Sequence, residues 1–352
     1  VGDRDTPRVD HPAGALAGVA ARAEHRAVTA YIIRRLIYAV PILIGVNLIT
    51  FVLFFVVNAP DDMARMHLGE KRVAEEAIQT WKQEHGYDRP LLYNPEASGL
   101  ARFTDTIFYE KSIRLFVFDF GSSDNGRDIG YDISQRMWPS LAIAIPVLLV
   151  GLAFNISYAL FIVFFRATYV DIGSVVLLVA MMSVSGLFYI IGGQFLLGKL
   201  FHLVPISGYD TGVEAWKFLI LPVIVGVIGG IGAGTRWYRT LFLEEISKDY
   251  VRTARAKGLS ERRVLFRHVL QNALIPILTG VVVVLPLLFM GSLITESFFG
   301  IPGLGSYTID AINSQDFAIV RSMVFLGAVL YIVGLILTDL SYTLVDPRVR
   351  LS

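Results

Sequence analysis

An all-α, polytopic membrane protein with six transmembrane helices and both termini in the cytoplasm is the fold this sequence predicts. Three observations carry that expectation. Of 352 residues, 54% are hydrophobic and only 17% charged, with a mean hydropathy of +0.59, far from the composition of a soluble domain. Six apolar runs are each long enough, at a rise of about 1.5 Å per residue, to cross a hydrocarbon core of about 30 Å. Most of the Lys and Arg lie in the segments that alternate crossing would place on one side. The net charge of +1 supplies no basic field for nucleic acid. The absence of cysteine removes disulfides, thiolate metal sites and cysteine nucleophiles together.

Residues 1–27 are rich in Ala, Arg, Asp, Gly and Pro without periodicity and read as a disordered extension. The first transmembrane segment is placed in 28–57, with its apolar run from Leu36 to Val57 behind Arg34 and Arg35. Val57-Asn58-Ala59 has the form of a cleavage site, but the run is too long for an ordinary signal core, so an uncleaved helix is expected. Residues 58–136 are polar and of mixed charge. Helical character over Val73 to His85 and an aromatic-rich stretch over Phe108 to Phe120 predict a folded extracytoplasmic element rather than a linker.

The core is expected over 137–342. Span two is read from Leu141 to Phe164, with Trp138-Pro139-Ser140 as its aromatic anchor and helix start. Span three, from Val175 to Leu197, carries Ser183, Ser185 and Gln194 in an apolar run. Polar groups at that depth either bond between helices or line a pathway. Span four starts near Lys217 and ends near Trp237. Gly226, Gly230 and Gly234 recur in it every four residues, a small-residue ridge for backbone-to-backbone packing.

A long basic loop follows over 238–273, and the stretch 244–276, which runs from it into the next span, organises the chain. Read as helix, Ile246, Tyr250 and Ala254 share one face while Lys248, Arg252 and Arg255 point elsewhere. Gly258 ends that helix and Ser260 is positioned to cap the next. Leu265, Phe266, Val269, Leu270 and Ala273 then form an apolar stripe. Ala254, Ala256 and Gly258 are expected on an exposed crest open to close approach by another protein. The same pattern suits a basic helix lying on anionic membrane lipid.

Span five is read from Leu274 to Ile294, with Pro276 near its start. The outer loop from Thr295 to Phe317 holds Glu296 and the run Gly300-Ile301-Pro302-Gly303. Span six covers Met323 to Leu337, and residues 343–352 form a tail. The proposed cytoplasmic segments carry 18 of the 31 Lys and Arg. The long 58–136 loop holds ten, outnumbered by fourteen acids, and long loops are largely exempt from the positive-inside rule. No phosphate-binding Gly loop ending in Lys-Ser or Lys-Thr, no paired metal-ligand histidines and no Gly-x-Ser-x-Gly elbow occur in the sequence. An enzyme reading has little to stand on.

Arg252-Thr253-Ala254-Arg255-Ala256-Lys257-Gly258-Leu259-Ser260, followed by His268, Asn272-Ala273-Leu274 and Pro276, resembles the cytoplasmic loop of ABC importer permeases. The resemblance is narrowest to the dipeptide, oligopeptide and nickel branch of the type I importers. Gly86-Tyr87-Asp88-Arg89-Pro90-Leu91, Val204-Pro205-Ile206-Ser207-Gly208-Tyr209 and Asp346-Pro347-Arg348 are similar to further marks of that branch. Arg252-Thr253-Ala254 stands where a literal Glu-Ala-Ala stands elsewhere in the superfamily.

The resemblance implies a type I permease fold in the bacterial inner membrane, forming half of a peptide pathway. It implies as partners a second homologous permease, two ABC ATPase subunits and an extracytoplasmic substrate-binding protein. ATP and Mg would then be bound by the ATPases, with no cofactor in this chain. Asp249, Tyr250, Arg252, Thr253, Ala254, Ala256, Lys257 and Gly258 become the ATPase-coupling residues. Ser183, Ser185, Gln194, Glu296, Pro302 and Gly303 become candidates for the pathway or its external gate. A nickel-chelate permease and a structural membrane subunit with a lipid-bound loop are the alternatives.

Overall fold

The computed structural model describes residues 33–69, 74–212 and 214–345. The expectations for residues 1–27 and for the 346–352 part of the tail lie outside them. Among the described residues the fold is helical, with a single isolated bridge between Ser122 and Asp128. Five helices are long and apolar enough to span a membrane: Ile33–Val57, Ile129–Phe164, Ala215–Ile246, Glu261–Met290 and Phe317–Ser341. A sixth span is a pair, Tyr169–Ser183 and Gly186–Leu200, bent by 88°. Large apolar side chains such as Ile37, Ile49, Val176 and Phe188 stand exposed along these helices, the surface a lipid solvent calls for.

The first span, α1 (Ile33–Val57), ends in a π-helical turn at Val52–Val57. Pro60 then occupies the first position of α2 (Pro60–Leu68), where its missing N–H costs nothing. α3 (Glu75–His85) closes on a left-handed Gly86. α4 (Ala101–Thr104), α5 (Ile107–Lys111) and a 3-10 turn at Ile113–Val117 complete this element. Phe51, Phe55, Met63, Ile78, Trp81, Tyr87 and Ile107 form its core, against which Phe317 of the last span packs. Among the described residues between the first span and α6, these helices and turns pack on the ends of the first and last spans, while 129–136 of the expected 58–136 segment belongs to α6.

Span two is α6 (Ile129–Phe164), which starts well before the expected Leu141. The Asp128 carboxylate caps it, accepting from the Tyr131 N–H at 2.6 Å, and Pro139 lies inside the helix. Its polar first turns run beyond the apolar stretch, so hydropathy alone placed the start too late. Span three breaks into α7 (Tyr169–Ser183) and α8 (Gly186–Gly193). Val184 and Ser185 are both extended there, which makes a sharp bend without proline. α9 (Ala215–Ile246) pairs along its length with α6.

That pairing explains part of the glycine ridge. A Cβ on Gly226 would lie 2.9 Å from Val147, and one on Gly234 would lie 2.4 Å from the Asn155 amide. At Gly230 a Cβ would meet nothing within 4 Å, so that position corrects the expected ridge. A Cβ on Gly232 would instead lie 2.9 Å from Leu178 O and 2.7 Å from Met182 of α7.

α10 (Asp249–Ala256) follows α9 directly. α11 (Glu261–Val264), a π-helical turn at Leu265–Val269 and α12 (Leu270–Val284) then run into a 3-10 turn at Pro286–Met290. Span five therefore begins at Glu261 and ends at Met290, and Pro276 lies in its interior rather than near its start. α13 (Leu293–Phe299), α14 (Leu304–Asn313) and α15 (Phe317–Val345) finish the chain. Arg35 and Asp339 pair at 2.8 Å, which places the start of the first span beside the end of the last.

Candidate functional site

Two clusters stand at opposite ends of the bundle. The first is the 244–276 loop. Gly258 adopts φ +77°, a left-handed conformation that glycine takes without steric penalty, and it reverses the chain between α10 and α11. Val251 and Ala254 of α10 are buried against Ala159, Val163, Phe242, Ile246, Val264, Leu265 and Val269. The helix is thus seated on the ends of spans two, four and five by apolar contact.

Ala254, 5% exposed, belongs to this buried foot and corrects its placement on the exposed crest. The pattern of small residues does not distinguish a crest from a foot. Ser260 takes the cap position with no side-chain cap hydrogen bond. Phe266, 54% exposed, leaves the apolar stripe and faces outward.

Asp249, Arg252, Thr253, Ala256, Lys257 and Gly258 are exposed. Thr253 Oγ1 donates to Asp249 O at 3.0 Å and Arg252 reaches the Asp249 carboxylate at 3.3 Å. Tyr250 donates its hydroxyl to the Glu245 carboxylate. Burial and that carboxylate push the phenol above its usual range, so it remains a neutral donor.

Glu261 was not anticipated. It accepts from Arg255 at 2.9 and 3.1 Å and from Arg166 at 2.8 Å. One carboxylate thereby joins the surface helix to the turn after α6. A second pair, Arg239 with Asp171 at 2.7 and 3.0 Å, ties α9 to α7.

The second cluster lies at the other end. Glu296, 1% exposed, accepts from the backbone N–H groups of Ser292 at 3.0 Å, Gly305 at 2.7 Å and Ser306 at 3.1 Å. Ser140 of α6 hydrogen-bonds it as well and accepts from the Leu304 N–H at 2.8 Å. Burial raises the carboxyl above its usual range, and these hydrogen bonds oppose the shift.

Glycine is required here by proximity. A Cβ on Gly303 would lie 2.3 Å from the carboxylate and 2.4 Å from Ser140 Oγ, and one on Gly291 would lie 2.0 Å from the carboxylate. Pro302 is exposed at the tip. The 291–306 turn is thus gathered around Glu296 and held to α6 through Ser140, and this packed turn is termed the plug.

Gln194 reaches the same turn. Its amide donates to Ile206 O at 3.2 Å and to Phe298 O at 3.0 Å, so it ties loops together. Ser183 spends its hydroxyl on Val179 O of its own helix at 3.0 Å. Ser185 opens α8 without a side-chain cap. An apolar cavity of about 370 Å³, lined by Val147, Gly226, Leu288 and Glu296 among others, lies below the plug. Another of about 440 Å³ continues along Val147, Gly226, Gly230 and Gly234. Gly230 thus faces open space rather than a helix.

Sequence comparison places these features in context. Residues 161–351 match the family described as binding-protein-dependent transport system inner membrane component. Residues 28–114 match that system's N-terminal membrane-component family. A probable peptide ABC transporter permease of Sinorhizobium fredii is 29% identical over 329 residues, covering 91% of this chain and 99% of the relative. A putative peptide transport system permease of Brucella abortus is 30% identical, covering 92% and 99%. The glutathione transport system permease protein GsiC of Escherichia coli is 28% identical, covering 91% and 98%.

Proposed function

The chain belongs to the family of binding-protein-dependent transport system inner membrane components, a multi-pass transport component and not an enzyme, and on that premise we propose that it is a permease subunit of an ATP-driven peptide importer. A second homologous permease supplies the other half of the pathway. Two ATPase subunits dock against the 244–276 loop on the cytoplasmic side, bind ATP and Mg, and hydrolyse ATP. A binding protein delivers peptide to the outer face. The relatives' names, peptide and glutathione permeases, support the substrate class.

The observation that carries the coupling is the seat of α10. Its buried face is fixed to three spans, while Asp249, Arg252, Thr253, Ala256, Lys257 and Gly258 remain exposed. A push on that outer face moves the spans as rigid bodies, because packed helices have few intermediate arrangements. At the far end the plug pinned by Glu296 and Ser140 opens or closes as α6 shifts.

The test is Ala256→Trp in the reconstituted transporter, measured as labelled-dipeptide uptake beside thermal stability. Ala256 is exposed, so the expected outcome is loss of uptake at unchanged melting temperature. Full uptake at wild-type rate contradicts the docking assignment.

A further inference from the structure

At the end of the bundle opposite the 244–276 loop, a cavity of about 540 Å³ lies between the end of α3, the 107–126 region and the first turns of α15. It is lined mainly by polar groups, and it is many times the roughly 30 Å³ that one water occupies. Arg321 of α15 lines it while being 2% exposed. Its guanidinium carbon stands 5.1 Å from the centroid of the Phe55 ring, and the side chain hydrogen-bonds Tyr87. Nε and Nη1 have no hydrogen-bond partner.

Asp316 and Asp124 lie near enough to favour the Arg321 charge, yet neither forms an ion pair with it among the described residues. Asp316 accepts from the Asp124 N–H at 2.9 Å and the Ile319 N–H at 3.2 Å. Asp124 faces His85 at 3.8 Å and His67 at 4.0 Å. Lys111 lines the same cavity with its ammonium 5.3 Å from the Tyr87 ring centroid. Among the described residues it makes no ion pair. Burial, and then the charge of Arg321, lower the Lys111 pKa, as two cations sharing a site require. The other cations at this cavity are already matched, Arg114 with Asp119 at 3.3 Å.

A buried guanidinium with two nitrogens that lack acceptors is costly, and a ligand that supplies those acceptors removes the cost. The geometry points to an oxyanion site in this cavity, in which Lys111 and Arg321 together hold a carboxylate such as the terminal group of a short peptide. The volume lies within the ~300–1,000 Å³ range of small-molecule pockets. Tyr87 contacts both cations, its hydroxyl accepting from Arg321 and its ring 5.3 Å from the Lys111 ammonium, and burial raises its phenol so that it stays neutral. The site lies outside the plug around Glu296 and does not depend on the import reading, since binding is measured without transport.

Trp81 supplies the probe. Its ring stacks on His85 at 4.2 Å and stands 5.5 Å from Tyr87, so its emission reports the cavity. The full chain in lipid nanodiscs, with Trp138, Trp216 and Trp237 replaced by Phe, is titrated at constant ionic strength. The additions are acetate, inorganic phosphate, Ala-Ala and Ala-Ala amide. Saturable emission changes with acetate and Ala-Ala, and none with the amide, are expected.

Lys111→Gln and Arg321→Lys each weaken the response at least about tenfold, the size of a lost charge-assisted contact. Tighter binding of Ala-Ala than of acetate identifies a peptide terminus as the source. Equal binding of acetate and phosphate identifies a small free anion. No saturable response, an equal response to the amide, or a response unchanged in Lys111→Gln overturns the site. Lys111 is only partly buried, so that variant decides the matter if Arg321→Lys does not fold.

Discussion

Glu296 shows how one side chain organises a loop. Three backbone N–H groups and a serine converge on its carboxylate, and every one of them comes from a turn or a neighbouring helix. Glu296→Gln keeps the volume but turns one acceptor into a donor facing an N–H. The expected loss is about 1–3 kcal/mol, the cost of an unsatisfied buried group, read as a lower melting temperature in detergent. Gly303→Ala forces a methyl to within 2.3 Å of the same carboxylate. It is expected to cost a similar amount, about 1–3 kcal/mol by overpacking. A variant melting at the wild-type temperature contradicts the corresponding contact.

The family resemblance offered Glu296, Pro302 and Gly303 as candidates for the pathway or its external gate, but it did not reveal the pin. The groups that hold Glu296 lie at 140 and at 292–306, and only the folded chain brings Ser140 to the turn. In the sequence Arg321 is a single charge just before the apolar run from Met323, with nothing beside it to mark its burial. Its burial depends on Phe55 and Tyr87, which lie far away in the chain.

At the scale of elements, the spans were legible because hydrophobic length sets them, and their ends were not. The polar turns before Leu141 belong to α6 because Asp128 caps them and Ile129 and Ile133 are buried beside Leu304 and Tyr307. Hydropathy cannot register a helix that continues out of the bilayer. The break at Val184 and Ser185 carries no proline to announce it. The helix-turn-helix of the basic loop was read correctly from Gly258, whereas which small residue faces inward was not.

Glu261 gives this scale its prediction. Glu261→Gln removes the charge that Arg166 and Arg255 share at 2.8–3.1 Å. Its groups are about one-third exposed, so solvent screening holds the cost to about 1 kcal/mol or less. The expected signature is local: faster amide hydrogen exchange over Asp249–Ala256 with the exchange of α6 unchanged. Uniform exchange across both segments contradicts a role in seating the helix.

At the scale of the whole molecule, α10 is seated on the ends of three spans at one end of the bundle and the packed 291–306 turn lies at the other, and the proposed docking and gating roles fall to those two ends. The sidedness assigned to those ends rests on the distribution of Lys and Arg. The chain has no cysteine, so single cysteines report it cleanly. Leu100, 84% exposed, lies in the outer element, and Ala256 is exposed on the loop. In intact cells a membrane-impermeant maleimide is expected to label Leu100→Cys and to label Ala256→Cys only after permeabilisation. The reverse pattern inverts the topology.

As proposed, this chain forms half of the membrane pathway of an ATP-driven assembly. The most direct measurement is affinity purification of the tagged full-length chain from native membranes under gentle extraction, with mass spectrometry of what accompanies it. The account predicts an ATP-binding-cassette subunit and a second six-span permease, with the ATPase lost from the Ala256→Trp preparation. Recovery of neither, under conditions that keep a known importer intact, contradicts it.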